Sequence, residues 1–453
     1  MLRRALIGSL LSLFLAAHAA PAKMSPDDIA RLGKDLTPLG AEKAGNKEGT
    51  IPAWEGGLTK PPAGWKPGMH YIDPFPEDKP LFTITAANMD QYGDKLTAGQ
   101  KAMLKAYKTF YMNIYPTRRT AAFPQRFYEG TKKVAASVEL VGGGNGVIHA
   151  VNGFPFPIPK NGTEAIWNLI LRPHGLTGWE DRRHVSAAVT RSGDYALTKF
   201  QDWAQVHYWD ARTTEANLDN ILWRYKQNIL SPPRQAGQVL LLHETVDQHK
   251  QPRMAWVYNP GQRRVRRAPE YAFDNPWAGS DGLKTIDSVV MFNGSPERYD
   301  WKLVGKKEMY IPYNAYRLQS PKYKYKDLIK PLHINPEPLR YELHRVWIVE
   351  GTLKPGARHI YKRRVIYLDE DSWFPGTSDV YDNRDQLWRV GEDHGLNYYD
   401  VPFVTYNMEL WYDLQSGRYC VDFMSNEEPP WNVGKVTDPD DFTVDSIRRE
   451  GVR

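Results

Sequence analysis

From about residue 185 to residue 425 the chain repeats one pattern: short runs of alternating apolar or aromatic positions, each closed by a turn signal. HVSAAVTRSGDYALTKFQDWAQVHYWD, GQVLLLHETVD, ELHRVWIVEGTLK and NMELWYDLQSGRYCVDFMS are examples. Period-two alternation sends successive side chains to opposite faces, which is the signature of a half-buried strand. Ser192-Gly193-Asp194, Asn259-Pro260-Gly261, Lys354-Pro355-Gly356 and Ser416-Gly417 separate the runs at hairpin positions. At least eight strands joined mainly by hairpins require a large antiparallel sheet. So wide a sheet must curl, close or cover one face with helices. The expected fold class is mainly β with α (α+β): a large, strongly curved antiparallel sheet or half-barrel with helices covering its concave face. Charged residues alternate with large apolar ones, so one face is expected wet and the other apolar. An apolar concave face would suit a lipid or another greasy ligand.

Helical signals are few. Ser25 can cap a short helix with Pro26 in its first turn, Asp27 and Asp28 at its positive end, and Ile29, Leu32 and Leu36 as its apolar stripe. Residues 37 to 82 are dense in Gly and Pro and carry Trp54 and Trp65, which predicts an ordered, extended arm. Residues 86 to 115 predict helix with a break near Gly93. There Thr97 and Gln100 form a capping box, and Met103, Tyr107, Phe110, Tyr111 and Ile114 share a face. A second helix is expected over 214 to 230, where Leu218, Ile221, Leu222, Tyr225 and Ile229 recur at three and four residues before Pro232-Pro233. The expected organisation is a signal peptide at 1–19, the helix and arm at 20–84, and a single domain at 85–453 with its sheet mainly from 185 to 425.

The signal peptide rests on MLRRALIGSLLSLFLAAHA: Arg3 and Arg4, an apolar run from Ala5 to Ala17, and the small-x-small triplet Ala17-His18-Ala19. The run is short for a membrane span. Net charge is +6, from 59 basic and 53 acidic residues, and falls to +4 once Arg3 and Arg4 are removed. So diluted an excess argues against nucleic acid as a partner. Cys420 is the only cysteine, so no intramolecular disulfide forms, and an exported chain of this size must fold on its core alone.

WVYNPGQRRVRRAP, residues 256 to 269, crowds Arg263, Arg264, Arg266 and Arg267 into five positions. As strand, turn and strand, it places Trp256 and Tyr258 on one face, with the turn at Asn259 to Gln262. In the returning strand Arg264 and Arg266 share one face, and Arg263, Val265 and Arg267 the other. Two expectations follow. The arginines pair with Asp369, Glu370 and Asp371 in YLDEDSW, as charge on a strand commonly does. Alternatively, with Trp256 and Tyr258, they form a ligand-binding set that recognises an anionic head group or a partner protein through the guanidinium fork.

Together with GSPERYDWKLVGKKEMYIPYN, RRVIYLDEDSW and the signal pattern, this stretch resembles the DUF1329 family of exported bacterial proteins over nearly the whole mature chain. It is also similar to the outer-membrane lipoprotein-sorting class, whose fold is a half-closed antiparallel barrel with helices over its mouth. The resemblance implies a periplasmic carrier or chaperone of lipid or other hydrophobic molecules, outer-membrane associated or in peripheral membrane contact. It further implies an efflux-type transporter and an outer-membrane protein as partners. It implies neither a catalytic set nor a cofactor.

Reaction machinery is not legible. There is no Gly-x-Ser-x-Gly elbow, no His-Glu-x-x-His and no phosphate loop. His243 and His249 flank Glu244 and Asp247, but six residues along a strand separate them by about 20 Å. LDEDS, residues 368 to 372, has part of a calcium loop without its glycine or distal glutamate, and is expected to be a solvated hairpin end. The chain is therefore expected not to be an enzyme. A scaffold subunit of an envelope complex is the alternative to a carrier, and a hydrolase or carbohydrate-binding protein is third.

Overall fold

A computed structural model describes residues 23–451. The signal-peptide expectation at 1–19 lies outside the described residues. Strands β1 (Phe82–Ile84), β2 (Met112–Ile114), β3 (Glu139–Val141) and β4 (Gly146–Ile148) precede the large sheet. A first run follows: β5 (Gly178–Val189), β6 (Tyr195–Gln205), β7 (Ile221–Ser231), β8 (Val239–Thr245), β9 (Met254–Asn259) and β10 (Arg264–Arg267). A second run contains β11 (Tyr299–Pro312), β12 (Tyr341–Leu353), β13 (Arg363–Asp369), β14 (Pro375–Tyr381), β15 (Leu387–Asn397), β16 (Val404–Asp413) and β17 (Arg418–Met424). The helices are α1 (Pro26–Arg31), α2 (Ala98–Ala106), α3 (Gln125–Ala135), α4 (Gly162–Leu171), α5 (Tyr325–Leu328) and α6 (Val444–Gly451).

Fifteen strands form one sheet, and β3 pairs only with β4. Each run is an antiparallel meander, and the two are joined where β17 pairs with β5. β2 adds to β12 by a single parallel pairing of Ile114 with Tyr341. Among the described residues β10 and β11 have no further strand outside them, so the sheet is open and is not a closed barrel. The four turn signals named above all fall between paired neighbours of this sheet.

The expected wet face is not observed in the centre of the sheet. β14 to β17 are buried along nearly their whole length, on both faces. One face carries a core that gathers Leu240 of β8, Ile366 of β13 and Trp411 of β16 with Phe127 of α3 and Trp167 and Leu169 of α4. The other face carries a second core, in which Val185 and Val189 of β5 and Leu410 of β16 meet Met103 and Leu104 of α2 and Leu328 of α5. Segments outside the meanders supply both covers, which the strand pattern alone does not reveal. α3 lies close to its neighbours because Gly130 has no side chain: a Cβ there would stand 1.8 Å from the Asn152 carbonyl oxygen.

Two helix expectations are corrected. Residues 214 to 230 are not helical, since Ile221–Ser231 is β7. Ile221, Leu222, Trp223, Tyr225, Lys226 and Gln227 are all buried, and a strand covered on both faces loses the alternation that would identify it. The helix over 86 to 115 reduces to a 3₁₀ turn at Met89–Lys95 and to α2. Beyond it, Met112–Ile114 pairs with Phe82–Ile84 as strand. The Thr97–Gln100 capping box is present with both of its hydrogen bonds, and Ser25 caps α1 through the Asp28 amide.

Candidate functional site

The arm runs over one end of the sheet and is pinned by aromatic side chains. The Trp54 indole donates to the Ala121 carbonyl at 3.1 Å, and Trp65 stacks on Tyr71 with ring centroids 5.4 Å apart. Tyr71 packs edge-on against Tyr398 at 4.6 Å, and its hydroxyl donates to Asp400 at 2.7 Å. Between this arm and the segment 316–323 lies a cleft of about 1040 Å³. Its walls are largely apolar: Pro62, Met69, Ile72 and Pro76 from the arm face Tyr316 and Tyr323. Met69 is one of five large apolar residues left exposed among the described residues. Arg317 and Lys322 bring positive charge and Asp73 brings a carboxyl. Burial raises the Asp73 carboxyl above its ordinary range, and burial lowers His70, which favours a neutral imidazole.

Behind His70 and Tyr71, which border the cleft, is a smaller cavity lined also by Arg182, Gln319, Tyr398, Asn407, Ser425 and Trp431. Arg182 is aimed into the interior by an irregularity in β5, where the register with β6 shifts between Trp179 and Arg182 and Asp181 takes φ 51°. Bulges of this kind commonly re-aim a side chain. Further inside runs a seam of buried charge. Lys284 bridges Glu409 at 3.1 Å and Asp422 at 2.8 Å, and all three side chains are fully buried. Asp202 accepts from the Trp179 indole and the Tyr225 hydroxyl, both at 2.9 Å, and lies 3.2 Å from the His184 ring. Neither carboxylate oxygen of Asp393 has a hydrogen-bond partner among the described residues. Burial, then the neighbouring Glu409, holds its carboxyl well above the usual range.

The residues singled out in sequence are placed elsewhere. Trp256 and Tyr258 do share a face, but it is the face opposite Val257, which joins the large core. Tyr258, 1% exposed, packs with Val239, Leu241 and the C-terminal residues Phe442 and Ile447, and Trp256 packs at the border of that cluster. Arg263 sits in the turn with φ 50°, and Arg264, Arg266 and Arg267 lie on β10, the outermost strand; all four are exposed.

The expected pairing of these arginines with Asp369, Glu370 and Asp371 is corrected. Arg266 pairs with Glu270, while Asp371 is held by Arg119, and Glu370 by Lys306 and Arg345. Nor is YLDEDSW a solvated hairpin end: Asp369, Glu370 and Asp371 are buried. Donor atoms of His344, Asp369 and Asp371 come within 4.8 Å of one another. The Arg119 guanidinium already occupies Asp371 with bonds of 2.8 and 2.6 Å, so a cation there would face a fixed positive charge. His243 and Glu244 do not converge with His249. His243 lies 2.8 Å from the Phe442 carbonyl, Glu244 pairs with Arg253, and Asp247 accepts from the His249 amide. Cys420 is a buried strand residue of β17, and burial pushes its thiol up. Sequence reasoning missed Arg182, Gln319 and Asn407, because they converge from three distant segments with no common spacing.

A broad, open, mainly antiparallel sheet that carries a ligand-sized cleft under an extended arm defines the class of scaffold. Within it, the chain belongs to the family described as protein of unknown function DUF1329, which matches residues 83–448. It is 48% identical over 454 residues to the uncharacterized protein PA3922 of Pseudomonas aeruginosa, covering 98% of this chain and 97% of that one. Among solved structures it is similar to a DUF1329 family protein from Desulfovibrio piger, at 15% identity and TM-score 0.42, over 62% of this chain and 95% of that chain. It is also similar to the LolA superfamily protein NE2245 from Nitrosomonas europaea, at 12% identity and TM-score 0.37, over 63% of this chain and 99% of that chain.

Proposed function

We propose that the chain is a periplasmic carrier or chaperone of lipid or other hydrophobic molecules that works with an envelope transport system. The cleft carries this reading. At about 1040 Å³ it has the size and the mostly apolar lining of a site for a greasy small molecule, with a few charged groups to orient it. The signal-peptide pattern at 1–19 supports export. No described helix is long and apolar enough to cross a membrane. The exposed surface of Arg263, Arg264, Arg266 and Arg267, on the strand paired with the one that carries Trp256 and Tyr258, is then the contact for anionic head groups or for a partner such as an efflux-type transporter or an outer-membrane protein.

The test is native mass spectrometry of mature protein purified from its own periplasm, followed by organic extraction. A stoichiometric hydrophobic mass is expected. A clean apo mass that persists after incubation with membrane extract would overturn the carrier reading. It would favour a scaffold subunit that uses the arginine surface alone.

A further inference from the structure

The exposed arginines of the β9–β10 hairpin do not stand alone. The turn that joins β7 to β8 lies against the turn that joins β9 to β10: a Cβ on Gly237 would meet the Pro260 side chain at 3.6 Å. That neighbouring turn carries Arg234, which is exposed. α6 also packs against β9 and β10. Its Val444 and Ile447 join the small core of Tyr258, Trp256 and Val265, while Arg448 and Arg449 stay exposed. Segments distant in sequence thus bring arginines to one edge of the sheet. Within β10, Arg266 opposes Val257 and Arg267 opposes Trp256, two residues that face different cores. The charge therefore straddles the edge and does not coat a single face.

Most of this charge is uncompensated. Glu270 is spent on Arg266, and Asp445 on Arg448 at 3.1 Å. The 3₁₀ turn Pro439–Phe442, which holds Asp440 and Asp441, packs against β7. Among the described residues, the side chains of Arg234, Arg263, Arg264, Arg267 and Arg449 have no hydrogen-bond or carboxylate partner. The surface also lacks the other half of a protein interface, since protein partners are held by apolar anchors at the centre of the contact. The large apolar side chains left exposed among the described residues are Met69, Leu81, Tyr195, Val304 and Val436, and none belongs to β9, β10 or α6. Several cations without an apolar anchor suit a dense array of phosphates, which attracts each guanidinium by charge alone.

We infer that this edge docks on the surface of an anionic phospholipid bilayer, edge-on and without insertion, through Arg234, Arg263, Arg264, Arg266, Arg267 and Arg449. The inference deepens the carrier reading and rests on it: it commits the arginine contact to head-group phosphates and extends that contact to two further segments. A contact of this kind is electrostatic, so salt weakens it.

Flotation of full-length mature protein with vesicles tests this, using phosphatidylcholine alone and phosphatidylcholine with about 30% phosphatidylglycerol. At low salt, binding to the anionic vesicles is expected to be at least about tenfold tighter, and to be lost by about 0.5 M salt. Arg263→Glu with Arg267→Glu is expected to abolish the difference between the two vesicles. Charge reversal keeps the edge charged, so self-association does not enter. Arg234→Glu with Arg449→Glu, which leaves β10 intact, is expected to weaken anionic binding by about threefold or more. Should the β10 variant fold poorly, the wild-type comparison and this second variant still decide. Equal binding to the two vesicles, or binding that survives high salt, would overturn the docking and return the arginine surface to a protein partner. Wild-type binding by the Arg234 and Arg449 variant would overturn the extension beyond β10. The carrier reading is checked separately, by the hydrophobic mass in native mass spectrometry. That mass without vesicle preference would overturn the docking alone, and vesicle preference without that mass would uphold the docking and overturn the carrier reading.

Discussion

Arg119 shows how one side chain joins distant parts of this fold. Its side chain is 3% exposed, and it donates to both oxygens of Asp371. The same guanidinium reaches the carbonyls of Glu42 at 2.8 Å and of Lys43 and Pro52 at 3.2 Å, so it ties the arm to the acidic turn. Removing one partner of a buried ion pair leaves an uncompensated charge, which costs about 3–5 kcal/mol. Arg119→Met should therefore lose about that much stability in urea unfolding. A loss below about 1 kcal/mol would mean that Asp371 is satisfied without it. None of this was visible in YLDEDSW, which reads locally as a polar turn. Its partner lies 252 residues away, and only the folded chain shows which charge is paired with which.

At the scale of elements, Asp379 of β14 anchors the start of α2. It accepts from the Gly99 amide at 3.0 Å and from the Tyr367 hydroxyl at 3.1 Å. Burial pushes its carboxyl up to about 6, against the opposing pull of Tyr367, Gly99 and Thr97. The folded protein thus holds this proton more tightly than the unfolded chain. That contribution to stability is complete below about pH 4 and is lost as pH rises through about 6. A shift of two units corresponds to roughly 3 kcal/mol. Asp379→Asn should flatten the fall in stability between pH 4 and pH 7.5 by about that amount, measured by urea unfolding at each pH. An unaltered profile would assign the titration to another group. The capping box of α2 was legible because Thr97 and Gln100 act within one turn. β7 was not, because Trp223 and Tyr225 face one core while Lys226 is also covered, and no period-two signal survives. Turns at Gly193, Gly261 and Gly417 were legible for the same local reason as the cap. The cavity around Arg182 was not, because Gln319, Asn407 and Arg182 meet only once the sheet is assembled.

For the whole molecule, the arginine strand has a second physical meaning. A sheet edge presents unpaired backbone groups that can recruit another chain, and charge and bulges discourage this. β10 carries Arg264, Arg266 and Arg267 on one edge, while β11 on the other carries Lys302, Lys306 and Lys307 with a register shift at Leu303/Gly305. Replacing the arginines of β10 together, by Arg264→Thr, Arg266→Val and Arg267→Thr, should produce concentration-dependent self-association in light scattering. A size distribution equal to that of the wild type would show that the edge is protected by other means.

The joint between β17 and β5 has a temporal consequence. Val185 meets Met424, so neighbours at the middle of the sheet are made more than two hundred residues apart. Long-range pairings of this kind form late and slowly. Each meander can begin to pair as it emerges, but neither half can lock to the other until the last strand has been delivered. A polypeptide threaded through a translocation pore from its N-terminus would therefore stay pliable through most of its passage, and would set into its final shape only on the far side.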